Sequence, residues 1–407
     1  MKFLFAFNFT IQQTFMPVEK QETYIKQGYL PLLDVLERHP KAKAAFFFDG
    51  FTERLINKKY PDMIKRVKKG MTQKRYEIGT YTYTHPVLSL IPFEDTYRQI
   101  EKGLQIDKEI LGIRPKGTIL PESGWDPSIA KIFKDLNLEW VIMGPNPFIR
   151  ENPKASISDL YKPYILEGIF NSQVKVMFTD EKVFNELIPP NKKDSVYYWD
   201  LPNMDVNNWI LHHMKVQDQG AKFFIAKQDA EFIYLSTWQN TEAKCGEELD
   251  ITNSVNKFDK FVGELVKKFE FCLPEEFLLN NPPKEKVFLR PSLISGLGFN
   301  YDEWLRGSEK VGYLIDEARM EIKIAKNVID LAEKIGLGVK KAKEDLEIAW
   351  DRLMEAEISV GRRACNHKWG QYSRVYLSIE RAWQARELAV KAVKRIDNLD
   401  KTKKHDC

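Results

Sequence analysis

Three short segments carry residues whose types and spacing could do chemistry. In Gly117–Trp125 an apolar run stops at Pro121, which cannot donate to a strand ladder, and the next residue is Glu122. In a parallel fold that sets a carboxylate at a strand's carboxyl end, while Gly124 lets the backbone turn and Trp125 offers a flat face to a sugar ring. The same residues also suit a plain loop leading into a helix near Pro127, capped by Ser123 or Asp126. In Lys222–Glu231 a second apolar run enters a polar turn bearing Asp229 and Glu231. Acids crowded at one strand end push each other's pKa upward. Retaining glycoside hydrolysis needs such a split, with one carboxylate attacking the anomeric carbon and a protonated one ~5–5.5 Å away serving the leaving oxygen. A solvated surface turn is the alternative. The third segment, Tyr76–Leu88, alternates aromatic and hydroxyl residues and runs into His85 and Pro86. Glu77 and His85 there are of the kinds that hold sugar hydroxyls, although Tyr and Thr are also ordinary strand residues and His85 would serve as a core histidine.

The elements that must position these side chains are legible as alternating strands and helices. Strand candidates are Phe3–Phe9, Ala44–Phe48, Gly117–Leu120, Trp140–Met143, Val174–Phe178 and Lys222–Ala226, with amphipathic stretches at Tyr29–Arg38, Asp95–Leu111 and Pro127–Leu136. Continuous apolar strands between helices imply an α/β fold with a parallel sheet buried on both faces, open or closed into a barrel. Its chemistry collects at the strands' carboxyl ends. The catalytic unit is expected over residues 1–272 and a Pro/Gly-punctuated connection over 273–307. Beyond it, apolar residues at three-to-four spacing predict a helical bundle over 308–400, and 401–407 reads as a polar tail.

Bulk properties narrow the function classes. The net charge of +4 arises from 62 basic and 58 acidic residues, a near balance that excludes a general nucleic-acid binder. Cys245, Cys272, Cys365 and Cys407 are far apart with no C-x-x-C pair, so no structural zinc or redox motif is indicated and a reducing, cytoplasmic setting fits. The apolar start Met1–Phe9 is broken by Asn8 and lacks a cleavage site, so it reads as a first buried strand. No stretch approaches the ~20 apolar residues of a membrane span, and a soluble chain is expected. The aromatic helical faces leave homo-oligomerisation open.

The segments, in this order, resemble glycoside hydrolase family 57, whose members include α-amylase-type enzymes, 4-α-glucanotransferases, branching enzymes and α-galactosidases. Tyr29–Pro40 with Ala44–Gly50 looks like that family's first helix and second strand, and Glu77–Thr80 with Tyr83–Pro86 like its second conserved region. Leu120–Glu122 is similar to its nucleophile segment, Asp229–Glu231 to its acid/base segment, and Ala356–Ser359 with Arg362 and Trp369 to its last region. The resemblance implies an incomplete (β/α)7 barrel with a C-terminal helical bundle, and double displacement without a cofactor or metal on an oligo- or polysaccharide, an α-glucan or α-galactoside. Glu122 would attack and Asp229 would serve as acid and base, with Gln12, Gln13, Glu77, His85, Trp125, Glu231 and Trp369 around the sugar. Departures are also visible. Gln12 and Thr14 stand where the family's first region has histidine and proline, Val360 where an acid is expected, and Thr179 with Asp180 where an arginine and aspartate are frequent. A catalytically inactive carbohydrate-binding or regulatory homologue is therefore one rival. A metal-dependent polysaccharide deacetylase is another, disfavoured because His212 and His213 are adjacent and no H-x-x-x-H occurs.

Overall fold

Phenylalanine at every second position of β1 (Lys2–Phe9) sends Phe3, Phe5, Phe7 and Phe9 to one face and Leu4, Ala6 and Asn8 to the other, as the two-residue strand repeat dictates. Both faces are buried, which makes β1 a central strand. The computed structural model describes residues 1–11, 18–180, 199–243, 246–292, 309–359 and 371–405. The remaining strands are β2 (Ala44–Phe48), β3 (Tyr76–Thr80), β4 (Gly117–Ile119), β5 (Trp140–Met143), β6 (Tyr164–Glu167), β7 (Gln173–Phe178), β8 (Phe223–Asp229), β9 (Glu270–Phe271) and β10 (Lys286–Phe288). They form one sheet in the order β10-β6-β7-β5-β4-β3-β2-β1-β8, with β9 also on β1. The stretch β7-β5-β4-β3-β2-β1-β8 is parallel throughout, and β6 runs antiparallel to β7.

The sheet curls until its ends approach. The Asp180 N–H, just past β7, donates to the Ile225 carbonyl on β8 at 3.0 Å. The fold is an incomplete (β/α)7 barrel. Inside the curl pack Leu4, Ala6, Ala45, Phe47, Ile119, Trp140, Ile142, Met177 and Ile225. The phenylalanines of β1 face outward against helices such as Leu30–Arg38 and Thr252–Lys268. β3 falls in the segment read from sequence for its histidine and was not among the strand candidates. The span 273–307, expected as a connection, contributes the helix Pro274–Asn280 and β10 to the sheet-bearing unit.

A second compact unit holds the helices Glu309–Lys334, Lys340–Ala356 and Gln371–His405. Ile315, Ile322, Ile329, Leu346, Trp350, Leu353 and Ala389 form its core. The last helix runs on to His405, past the expected end at 400. Among the described residues no helix is long and apolar enough to cross a membrane.

Behind the barrel wall, Glu53 on the helix Gly50–Lys59 and Asp107 on the helix Phe93–Ile110 are fully buried. All four carboxyl oxygens are buried without a hydrogen-bond partner, so burial opposes charge on both groups and a charge on one opposes a charge on the other, which favours protonation. Burial pushes Glu53 from 4.5 to about 7 and Asp107 well above its ordinary value. Both folded-state values exceed the unfolded ones, so the folded chain holds protons that the unfolded chain releases. This contribution to stability is complete at the acid end and falls away as pH rises towards about 7. Asp107→Asn is expected to flatten the decline of Tm between about pH 5 and 8; a slope equal to that of the parent would show that Asp107 takes up no proton on folding.

Candidate functional site

The parallel register brings one polar residue after another to the carboxyl edge of the curled sheet. Asn8 on β1 pairs with Asp229 on β8, Phe9 with Phe48, and Phe48 with Thr80. Asp49 and Tyr81 follow directly on the ends of β2 and β3, and Glu122 comes three residues after the end of β4. The Asn8 amide nitrogen lies 3.3 Å from Tyr81 Oη and 3.3 Å from Asp229 Oδ1. His85 Nε2 is 2.7 Å from the same Tyr81 Oη, with the two rings edge to face at 4.7 Å. The phenol of Tyr81 is held well above its ordinary pKa, first by burial and then by the charges of Asp229, Glu122, Asp49 and Glu231. Asp229 and Glu122, distant in the chain, thus both act electrostatically on this one phenol.

Exposure separates these acids. Asp49 and Glu231 are buried, at 2% and 5% exposed, whereas Glu122 and Asp229 are part-exposed. Burial raises Asp49 from 3.8 to about 7, against the pull of donors that include the Thr52 N–H and hydroxyl at 2.6 and 2.9 Å. Glu231 is pushed well above the carboxylate range by burial and then by Asp229. Burial takes the His85 imidazole down to about 4, so it is neutral. Tyr29 closes the cluster from a π-helical turn, Ile25–Tyr29, where a side chain on Gly28 would meet the Glu231 Cα at 2.6 Å. Only glycine lets that turn lie on the Glu231 backbone.

Glu122 stands on a strained turn. It and Ser123 have φ of 50° and 49°, a left-handed geometry costing on the order of 1–3 kcal/mol per non-glycine residue. Neighbouring bonds over-determine it. The Gly144 N–H donates to Ser123 Oγ at 3.1 Å, and Gly124 N–H to the Pro121 carbonyl at 2.9 Å. Trp125 exchanges backbone bonds with Ser292, both 2.8 Å, and its indole donates to the Leu289 carbonyl at 3.0 Å. The second loop is similar: Thr82 and His85 have φ of 68° and 60°, and Thr84 is held by Gln99.

Several site expectations need correction. Trp125 is fully buried, so it offers no face to a sugar and anchors the Glu122 turn instead. Glu77 is the second residue of β3, at the opposite edge of the sheet, where it accepts from the Glu275 N–H at 3.2 Å. Burial there, with Glu275 and Glu276 nearby, pushes it up to about 8. His85 and Glu231 lie towards the carboxyl edge and are buried, His85 with its Nε2 at the Tyr81 hydroxyl. Gln12, Gln13 and Trp369, with Thr14, Val360 and Arg362, lie outside the described residues. The sequence reading missed Asn8, Tyr29, Asp49 and Tyr81 as site residues. For Asn8 a signal existed, since it is the polar break in an otherwise apolar strand.

Comparison with known proteins adds a family. The model for Glycosyl hydrolase family 57 matches residues 6–290. An α-amylase of Pyrococcus abyssi is 29% identical over 220 residues, 54% of this chain and 32% of that protein. A 4-alpha-glucanotransferase of Thermococcus litoralis is 28% identical over 220 residues, again 54% and 32%. The chain spans about a third of the length of these curated relatives (32%). The crystal structure of the 4-alpha-glucanotransferase from Thermococcus litoralis matches in fold with a TM-score of 0.67 and 18% identity, covering 96% of this chain and 59% of that one.

Trp125→Phe keeps the ring but strips the N–H from the buried Leu289 carbonyl. It is expected to lower unfolding free energy by about 1–3 kcal/mol in urea titration; an unchanged midpoint would show that the indole bond does not hold the turn.

Proposed function

The chain belongs to glycosyl hydrolase family 57, and on that premise we propose that it is a retaining glycosidase or transglycosylase for α-linked sugars, with Glu122 as nucleophile and Asp229 as acid and base. One observation carries this reading. Of the four acids acting on the Tyr81 phenol, Glu122 and Asp229 are the two that keep part of their surface exposed, while Asp49 and Glu231 are buried.

In the first displacement a Glu122 carboxylate oxygen bonds to the anomeric carbon as the glycosidic C–O bond breaks, and the Asp229 proton passes to the departing oxygen. In the second, Asp229 takes a proton from a water or sugar hydroxyl. That oxygen displaces Glu122 from the anomeric carbon, and the configuration is retained. Water as acceptor gives hydrolysis; a sugar hydroxyl gives transfer. An α-glucan or α-galactoside of modest size is the substrate class, supported on the glucan side by an α-amylase and a 4-alpha-glucanotransferase among the relatives.

Product analysis on maltooligosaccharides and α-galactosides tests the reading, with the anomer first formed read by proton NMR. Glu122→Gln is expected to fold normally and lose turnover by on the order of 10³-fold or more. Unchanged rates would remove Glu122 from the mechanism, and binding without turnover on every substrate would favour a carbohydrate-binding homologue. Glu77→Gln is expected to leave kcat and KM within about twofold, since that side chain sits at the far edge; a tenfold rise in KM would return it to the sugar site.

A further inference from the structure

The helix Glu309–Lys334 is apolar on two opposite faces. One of them, with Ile315, Ile322 and Ile329, fills the core of the helical unit. The other carries Tyr313, Met320, Ile324 and Leu331, each 48 to 65% exposed, with Ile335 just beyond at 68%. The Ile335 N–H still donates to the Leu331 carbonyl, so the helical path continues that far. At about 100° per residue these five side chains fall within about 60° of one another, along about 33 Å of helix. Single exposed apolar residues are ordinary, but five in one line form a patch. It has a neighbour on the helix Gln371–His405, where Trp383 is also exposed. Arg386 lies over that indole at 5.6 Å and reaches Glu317 at 3.6 Å and Glu321 at 3.8 Å. Glu317, which also holds the Tyr313 hydroxyl, is thereby compensated where it interrupts the stripe.

We propose that this face binds a second copy of the chain, helix against antiparallel helix, about a two-fold axis midway between Met320 and Ile324. Two features identify the occupant. The steps from Tyr313 through Met320 and Ile324 to Leu331 are seven, four and seven residues, which read alike in either direction. An antiparallel copy therefore sets Tyr313 opposite Leu331 of the copy and Met320 opposite its Ile324, each contact made twice, as a two-fold interface requires. The polar gaps coincide as well, Glu317 meeting Asn327. Charge supports the same orientation. Residues 309–321 hold four acidic and two basic side chains, whereas 323–334 hold two acidic and three basic. Antiparallel pairing lays the acidic half on the basic half, and parallel pairing would lay like on like. A stripe one helix wide and ~33 Å long buries less than the ~800 Å² per partner of a standard interface, so a weak dimer is expected, with Kd on the order of 10 µM.

The test is sedimentation equilibrium of the full chain between ~1 and ~200 µM, where a monomer–dimer equilibrium is expected. Ile324→Lys places a charge against Met320 of the copy at two points in the dimer. It is expected to weaken association by about thirtyfold or more. Because that side chain is exposed, the circular dichroism spectrum and urea midpoint of the variant at ~1 µM are expected to match those of the parent. Tyr313→Glu and Leu331→Lys test the register. Each alone is expected to weaken the dimer, and the two combined to recover about tenfold or more over either, since opposite charges then face each other across the axis. A chain that stays monomeric to ~200 µM overturns the proposal. So does a dimer that Ile324→Lys leaves intact, which would place the interface on another face. A double variant that associates no better than the single ones overturns the antiparallel register.

Discussion

Like charges held out of water cannot all stay ionised, and four carboxyl groups act on the one phenol at the carboxyl edge of this sheet. At an effective dielectric of 20, two such charges 4 Å apart repel by about 4 kcal/mol. The molecule answers with unequal burial. Glu231 and Asp49 are enclosed, and burial drives their carboxyls upward towards the neutral form. Glu122 and Asp229 keep part of their surface, and Asp229 takes a donor from Asn8. Environment, rather than residue type, thus divides four chemically similar groups into two part-exposed and two buried ones. The neutral His85 belongs to the same economy, since an imidazolium inside this pocket would have to be desolvated as well.

Backbone strain gathers at the same edge. Glu122 with Ser123, and Thr82 with His85, hold left-handed geometry without being glycine, and the chain beside Glu231 winds through a π-helical turn. Each is pinned by bonds from elements distant in sequence: Ser292 and Leu289 on Trp125, Gly144 on Ser123, Gln99 on Thr84. Strain of this sort persists only when its surroundings over-determine it. The rigid parallel sheet supplies that constraint, which is why loops this irregular can still hold side chains in place.

The strand pattern of β1, β2, β5 and β7 was readable because buried parallel strands are continuous apolar runs. The two acids were readable because each comes within three residues of the end of such a run. What the sequence could not show is which edge of the sheet a polar residue occupies. Glu77 and Tyr81 are four residues apart in one segment, yet the first enters β3 at one edge and the second leaves it at the other. Trp125 misled for a related reason: an aromatic beside a carboxylate looks like a sugar platform, but burial is a tertiary property, and here the indole is spent on the Leu289 carbonyl. Asn8 passed as a mere interruption of an apolar run. Its meaning lies in the β1–β8 pairing of residues more than two hundred positions apart, which local pattern does not encode.

The rival barrel chemistry, metal-assisted deacetylation, requires an aspartate and two histidines aimed at one point. The described histidines do not converge in this way. His85 sets its Nε2 on the Tyr81 hydroxyl. His39 bonds Asp259 on an outer helix, and His213 packs its ring against Phe224 on the outward face of β8, with Nδ1 at the Trp209 carbonyl. Among the described residues no group of three histidine, cysteine or acidic side chains is placed to hold an ion. The carboxyl edge of the sheet carries carboxyls, a phenol, an amide and a neutral imidazole, a set able to move protons.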